Sequence, residues 1–168
     1  MSLLNGPLDS HQNYLNYIAL ENCFEYFGLV ESQRKQKCLD LTANYHRLRL
    51  LLNAMESMNT VLDYFFHEQK ESQGWNDSQR NLILERIKRK HPVLYQLDQL
   101  LNAYKRVEHR DMKALVATDL QATVVSISSI KQKIEIDFNS TEDERIISDA
   151  FDFWFEYNKD PDINTLLP

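Results

Sequence analysis

The chain has 168 residues, of which 43% are apolar and 26% are charged, and its formal net charge is −6. This length and composition predict one globular domain over 1–168, with an ordered core over about 10–158. Only three glycines and four prolines disfavour a loop-rich β-sandwich and a glycine-rich phosphate loop, and the net acidity disfavours a protein that coats nucleic acid. The sequence has no long apolar run and no signal-peptide pattern, so we expect a cytoplasmic protein that does not enter a membrane.

The first two predicted helices differ in length. A helix that begins at Asp9 or Ser10 carries aromatic residues on one side, and Gly28 is placed to end it, because glycine adopts the left-handed closing conformation without steric cost. The second predicted helix runs from about Lys37 to His67, with apolar residues in steps of three, four or seven. Roughly 30 residues give a rod on the order of 45 Å long. We therefore expect the other helices to pack along this rod.

Two further helices follow in quick succession. Asn76, Asp77 or Ser78 is placed to cap a third helix, which ends in a run of basic residues. Pro92 disfavours helical geometry in the preceding residue but suits the first turn of a new helix. The fourth predicted helix therefore begins there and reaches at least Val107.

The pattern changes beyond Thr118. Segments 124–130 and 133–138 are rich in β-branched residues or alternate between apolar and charged ones, which predicts a small hairpin, with a helical start as the open alternative. A capping box at Thr141 and Glu144 opens the last helix, and the tail from Lys159 is expected to be loose. The predicted fold is mainly α, an antiparallel bundle of four to five helices with a small β-hairpin before the last helix.

Charge is distributed unevenly along the chain. Residues 80–113 carry nine Lys or Arg against four acids, whereas 132–168 carry three against ten. Such blocks are typical of solvated helix faces, and the alternative is a basic face for phosphate or for an acidic partner. Within the basic block one polar stripe at helical spacing is the candidate binding site: Asn102, Lys105, Arg106 and His109. A cation and an imidazole on one stripe suit contact with a phosphodiester, although helix surfaces are polar in any case.

A metal site has weaker support. Glu56, Asp63 and His67 share a face of the long helix, but the chain has no Glu-x-x-His pair of the kind that builds di-metal bundles. We therefore expect no metal and no cofactor.

Several short motifs suggest a family. They are Tyr-His-Arg-Leu-Arg at 45–49, His-Pro at 91–92, Leu-Asn-Ala-Tyr-Lys-Arg at 101–106 and Ala-Phe-Asp-Phe-Trp at 150–154. In their order along a helical chain they resemble the HEPN superfamily. Active members of that family are metal-independent RNases, usually dimeric, with an Arg-x(4–6)-His motif. In this chain the corresponding positions hold Leu101 and Arg106.

The resemblance therefore implies a degenerate, non-catalytic member that acts as a binding or regulatory module. It also implies a link to phage-defence or toxin–antitoxin-type systems. We expect a homodimer, with a protein partner as a further option and RNA as a weakly supported one. The residues predicted for the dimer seam lie on the long helix, with the core as their alternative location: Met55, Met58 and Phe65.

Two other functions remain open at this point. The first is metal-independent RNA cleavage by an irregular Arg/His set, for which the candidate catalytic residues are Arg86, His91, Arg106 and His109. Of these, Arg86 and His91 match the family spacing but straddle a predicted helix end. The second is a small-ligand regulator with a pocket between the helices and the hairpin.

Overall fold

The structure is a computed structural model that describes residues 8–34, 41–109, 125–128, 133–136 and 141–168. The side chains of 41, 44, 105–109, 125–128, 133–136 and 141–143 lie outside this description. The helices are α1 (His11–Tyr14), α2 (Leu20–Gln33), α3 (Leu41–Gln69), α4 (Arg80–Lys90), α5 (Pro92–His109), α6 (Thr141–Lys159) and α7 (Ile163–Leu166). A π-helical turn, Leu15–Ala19, joins α1 to α2, and a 3₁₀ turn, Asp77–Gln79, leads into α4. The strands are β1 (Val125–Ser128) and β2 (Lys133–Ile136).

The long helix α3 is the centre of the fold, and α1, α2, α4, α5 and α6 all contact it. Its apolar residues, together with those of the surrounding helices, form one core whose largest fully buried side chains include Trp154, Phe65 and Phe66. The prediction of a mainly helical bundle is confirmed. In the part of the chain that the structure describes, no helix is both long and apolar enough to cross a membrane.

The first helical unit is longer than predicted. Ser10 caps it as expected, because its Oγ accepts a hydrogen bond from the backbone N–H of Asn13 at 3.1 Å. Gly28 does not end it, since α2 continues to Gln33. A glycine inside a helix costs about 1 kcal/mol relative to alanine. The partly buried Leu29 and Val30 that follow it pack on the core and outweigh that cost.

The ends of the middle helices agree with the predictions. The Asn76 side chain accepts a hydrogen bond from the Gln79 backbone, and the Gln79 side chain bonds back to the Asn76 N–H, a complete capping box. Gly74 has a φ of +67°, the conformation that glycine adopts most readily, in the turn that follows α3. Pro92 is the first residue of α5, as its fixed φ favours.

The chain beyond Lys159 is ordered against the bundle, so the prediction of a loose tail is wrong. Leu166 in α7 is fully buried. Lys90 Nζ donates hydrogen bonds to the carbonyl oxygens of Leu167 at 2.6 Å and Asn164 at 3.1 Å. These contacts hold the tail against the C-terminal end of α4, and no local sequence pattern indicates them.

The region between α5 and α6 is described only at its two short strands. They pair antiparallel, with Val125 opposite Ile136 and Ser128 opposite Lys133. They lie within the predicted segments 124–130 and 133–138, whose other residues are outside the described part of the chain. Strand β2 approaches α3.

Candidate functional site

Of the predicted Arg/His set, the structure describes the side chains of Arg86 and His91; those of Arg106 and His109 lie outside it, so the catalytic set stays a prediction. Arg86 is exposed on α4. His91 is half-buried at the turn between α4 and α5, with its ring 5.0 Å from that of Phe153 and its Nε2 2.7 Å from the carbonyl oxygen of Thr165. A carbonyl oxygen only accepts hydrogen bonds, so Nε2 is the protonated donor in this contact. His91 therefore fastens the C-terminal segment to the bundle.

The polar stripe on α5 is described at one of its four side chains. Asn102 is exposed and its Nδ2 donates to Oδ2 of Asp98 at 3.2 Å. The other oxygen of Asp98 lies 2.7 Å from Nζ of Lys88. Asn102 thus belongs to a polar cluster within the chain. The side chains of Lys105, Arg106 and His109 lie outside the described residues, and their binding role stays a prediction.

The residues predicted for a dimer seam belong to the core. Met55, Met58 and Phe65 are fully buried within the single chain, before any partner is added. The interface prediction is therefore wrong, and the alternative of a core location holds. The physical reason is that helices surround α3 on several sides, so its apolar residues beyond one stripe meet other helices of the same chain.

A buried hydrogen-bonded cluster that the sequence did not indicate joins α1, α3 and α6. His11 is fully buried, and its Nδ1 lies 2.6 Å from Oε2 of Glu68. Its Nε2 lies 2.8 Å from the hydroxyl of Tyr157, and its backbone N–H donates to the same Glu68 oxygen at 2.9 Å. Both ring nitrogens are engaged inside the protein. The cluster therefore holds three helices together and leaves His11 no free nitrogen for a substrate.

The electrostatics of this cluster agree with a structural role. Burial acts to raise the pKa of Glu68, but the hydrogen bonds from the side chain and backbone of His11 outweigh it and hold the pKa below its ordinary value. Burial and the nearby Glu68 carboxylate raise the pKa of Tyr157. The ionised carboxylate and the neutral phenol are thus both favoured in the folded state.

The Glu68 carboxylate makes the stability of the fold sensitive to acid. A carboxyl whose pKa is lowered by folding stabilises the native state above its unfolded pKa, about 4.3 for glutamate, and this contribution is lost as the pH falls through the lowered value. We expect the free energy of unfolding to decrease below about pH 4 and to decrease less in Glu68→Gln. Urea unfolding of both proteins at several pH values between neutral and acid measures this. If the free energy of unfolding falls equally with decreasing pH in the two proteins, other carboxylates govern the acid sensitivity.

An exposed aromatic surface lies across α2 and α6. We call it the phenylalanine surface: Phe24, Phe27, Phe151 and Phe155. The ring centroids of Phe24 and Phe151 are 5.5 Å apart, those of Phe27 and Phe151 are 5.3 Å apart, and those of Phe151 and Phe155 are also 5.5 Å apart. Phe24 is 48% exposed, and the other three are half-buried on the core. The sequence indicated an aromatic side on the first helix, and it did not indicate that Phe24 stays exposed.

Acidic side chains flank the phenylalanine surface on both helices. Glu21 and Glu25 are exposed on α2 beside Phe24, and Asp152 and Glu156 are exposed on α6. Lys159 is a cation at one edge, 4.6 Å from the Phe155 ring centroid and paired with Glu156. An aromatic surface with acidic flanks is suited to a partner that is apolar at its centre and basic at its sides.

Gly28 leaves a gap on the same face of α2. It is exposed one helical turn beyond Phe24, and a Cβ built on it would meet no atom within 4 Å. The backbone of α2 is therefore bare beside the aromatic rings. A partner side chain has room to approach there.

A pocket of about 350 Å³ lies between α2, α3 and α6. Tyr26, Phe27 and Ile147 supply apolar surface, and Gln33 and Arg47 are among its polar lining residues. The Arg47 guanidinium hydrogen-bonds the Tyr26 hydroxyl. Burial raises the pKa of Tyr26 and outweighs the lowering effect of that guanidinium, so the phenol stays neutral. Its described lining residues belong to α2 and its C-cap, to α3 and to α6, and the hairpin side chains lie outside the described residues, so a pocket between the helices and the hairpin stays a prediction.

Other reactive groups have no arrangement for catalysis in the described ranges. Burial raises the pKa of the Cys23 thiol to about 12, which keeps it protonated and poorly nucleophilic. Asp63 pairs with Arg80, and His67 is exposed. No group of three or more His, Cys, Asp or Glu side chains in these ranges could hold a metal ion.

Comparison with known proteins adds no relative to this picture. No protein-family model, no curated protein and no solved structure matches the chain. The surfaces and pockets of the chain itself are therefore the basis for assigning a function.

Proposed function

We propose that this protein is a non-catalytic binding module whose phenylalanine surface docks an amphipathic helix with basic flanks from another protein. The observation that carries the proposal is Phe24, which is 48% exposed and packs against the rings of Phe151 and Phe155. When a partner covers a half-exposed aromatic side chain, its apolar surface leaves water, which favours binding by about 25 cal/mol per Å². Helix-in-groove docking is a common way of covering such a surface.

The charges around the surface favour a basic partner over a second copy of this chain. In a symmetric dimer formed through this surface, the carboxylates of Glu21 and Asp152 would approach the same acidic flanks of the other copy. Like charges brought together at an interface cost free energy, whereas Lys or Arg in a partner would be attracted. The expected homodimer therefore becomes the competing outcome of the test.

Two positions support a non-catalytic reading of the HEPN-like resemblance. Leu101, at the position of the family's arginine, is 2% exposed in the core. His91, the described histidine of the alternative set, uses its Nε2 to hold Thr165. Membership of that superfamily, and the associated phage-defence or toxin–antitoxin context, is part of the proposal.

The test measures binding of a fluorescent synthetic helix of leucine and lysine, with a leucine and glutamate helix of the same pattern as its control. We expect the basic helix to bind and the acidic one not to bind. Phe24→Ser should weaken binding at least about tenfold, as expected for loss of a central aromatic contact. Tyr95→Ser is the matched control, because Tyr95 is 41% exposed on α5, away from the surface.

A second variant pair separates docking from folding. Gly28→Arg places bulk and positive charge beside the rings, and its Cβ meets no atom of the chain. We expect it to abolish binding of the basic helix. Gly28→Ala should bind normally and stabilise the protein by about 0.5–1 kcal/mol, since glycine is unfavourable inside a helix.

Three results would contradict the proposal. The first is equal binding of the acidic helix, and the second is equal weakening by Tyr95→Ser. The third is a dimeric mass in light scattering that Phe24→Ser reduces to a monomer, which would make a second copy the occupant. RNA cleavage that resists EDTA and is lost in His109→Ala would instead favour the RNase alternative.

A further inference from the structure

One residue that lines the pocket between α2, α3 and α6 carries a buried polar atom without a partner. Gln33 lines the pocket and is only 7% exposed, yet its Oε1 receives no hydrogen bond within the described part of the chain. A buried acceptor left unpaired costs about 1–3 kcal/mol. Native structures keep few such atoms, and a bound N–H or O–H donor would satisfy this one.

Charged groups of both signs lie in the same pocket. The side chain of Arg47 is 19% exposed, and its Nη2 lies 3.7 Å from Oε1 of Glu144, which is longer than a strong charge-assisted hydrogen bond. Arg34 lines the rim as a second cation, paired with Glu31 at 3.0 Å. A guanidinium has five N–H donors, so Arg47 is able to bind a carboxylate while it keeps the Tyr26 hydroxyl.

Apart from Ser148 and the Tyr26 hydroxyl, the remaining lining is apolar. Phe27, Val30 and Ile147 form a wall beside the polar groups, and the volume of about 350 Å³ is within the range of small-molecule pockets. A ligand that fits this lining has an apolar body, a cationic N–H donor and an anionic oxygen. A zwitterion is able to contact Arg47 and Glu144 with opposite charges at the same time, whereas a ligand with a single charge gains only one of these contacts.

We propose that this pocket binds a small zwitterion with an apolar body, the chemistry of a free apolar α-amino acid. Its ammonium group donates to Gln33 Oε1 and is attracted by Glu144, its carboxylate binds Arg47, and its side chain packs on Phe27 and Val30. This site is separate from partner docking on the phenylalanine surface, and either proposal can fail without the other.

The test uses L-phenylalanine and L-leucine as probes in calorimetric titration and thermal unfolding. We expect at least one of the two to bind and to raise the Tm. For the amino acid that binds, the decarboxylated and deaminated analogues each lose one charged contact. We expect each analogue to bind at least tenfold more weakly, which corresponds to about 1.4 kcal/mol. For phenylalanine these analogues are 2-phenylethylamine and 3-phenylpropanoate.

The decisive variant is Gln33→Leu, which has nearly the same size and removes the unpaired oxygen. Without ligand we expect its Tm to equal or exceed that of the unmodified protein, because a buried unsatisfied acceptor is gone. With ligand we expect the Tm shift to disappear. Gln99→Leu on α5, outside the pocket, is the matched control and should keep the full ligand response.

Absence of binding by both amino acids would overturn the proposal. So would an analogue with one charge that binds as tightly as the parent amino acid, or a Gln33→Leu variant that keeps the full affinity. A lower Tm of Gln33→Leu without ligand would show that Gln33 has a structural role and would also overturn it.

Discussion

Replacement of His11 by alanine is expected to lower the free energy of unfolding by about 3–5 kcal/mol and the Tm by roughly 10 °C. The imidazole is fully buried and contacts the Phe65 ring edge-on at 5.2 Å, so its removal leaves a cavity. It also leaves the Tyr157 hydroxyl without its partner and removes the imidazole from the Glu68 carboxylate, which keeps the hydrogen bond from the backbone N–H of residue 11. Urea unfolding followed by circular dichroism measures the loss.

The controls for this prediction isolate the cluster. His46→Ala removes an exposed histidine of α3 and should change the stability by less than about 0.5 kcal/mol. Tyr157→Phe removes only the hydroxyl and should cost about 1 kcal/mol. The double variant of His11→Ala and Tyr157→Phe should then cost less than the sum of these two single variants, because in His11→Ala the Tyr157 hydroxyl has already lost its partner. Strict additivity would show that the contact at Nε2 contributes nothing.

Replacement of Asp98 by alanine is expected to lower the free energy of unfolding by about 3 kcal/mol, near the lower end for buried ion pairs. The side chains of Lys88 and Asp98 are only 11% and 13% exposed, and their charged atoms lie 2.7 Å apart between α4 and α5. The variant leaves the Lys88 ammonium desolvated without a counter-charge, which costs more than the pair itself contributes. Unfolding by urea at neutral pH measures the change.

A double replacement tests that explanation. Lys88→Met combined with Asp98→Leu removes both charges and should recover most of the lost stability. Glu85→Ala is the matched control on α4, because Glu85 pairs with the exposed Arg89 at 3.7 Å and such surface pairs contribute less than about 1 kcal/mol. A double variant as unstable as Asp98→Ala would locate the effect in packing instead of charge.

Elements whose signals are local could be predicted from the sequence. Asn76 with Gln79, Pro92, and the periodic apolar residues of α3 each lie within a few residues of the feature that they specify. Gly28 shows the limit of such signals. Its intrinsic preference for ending a helix was overridden by core contacts of Leu29 and Val30, which depend on the packed bundle.

The candidate sites could not be predicted in the same way. Periodicity indicates that Met55 and Phe65 face something apolar, but it does not say whether that is another helix of the chain or another molecule. The unpaired oxygen of Gln33 depends on how α2 lies beside α6, which no local pattern encodes. The phenylalanines of α2 and α6 were visible as apolar faces, and only the packed structure shows that Phe24 is half exposed.

The hydrogen bond between His11 and Tyr157 has a consequence for synthesis. Tyr157 follows His11 by 146 residues, so at 5–20 residues per second the first helix is made roughly 7–30 s before its partner. Throughout that interval Leu15 and Ala19 lack the α6 side of their core, and the nascent chain presents apolar surface. Among the described elements that pack on α6, the first helical unit therefore waits longest for its partner.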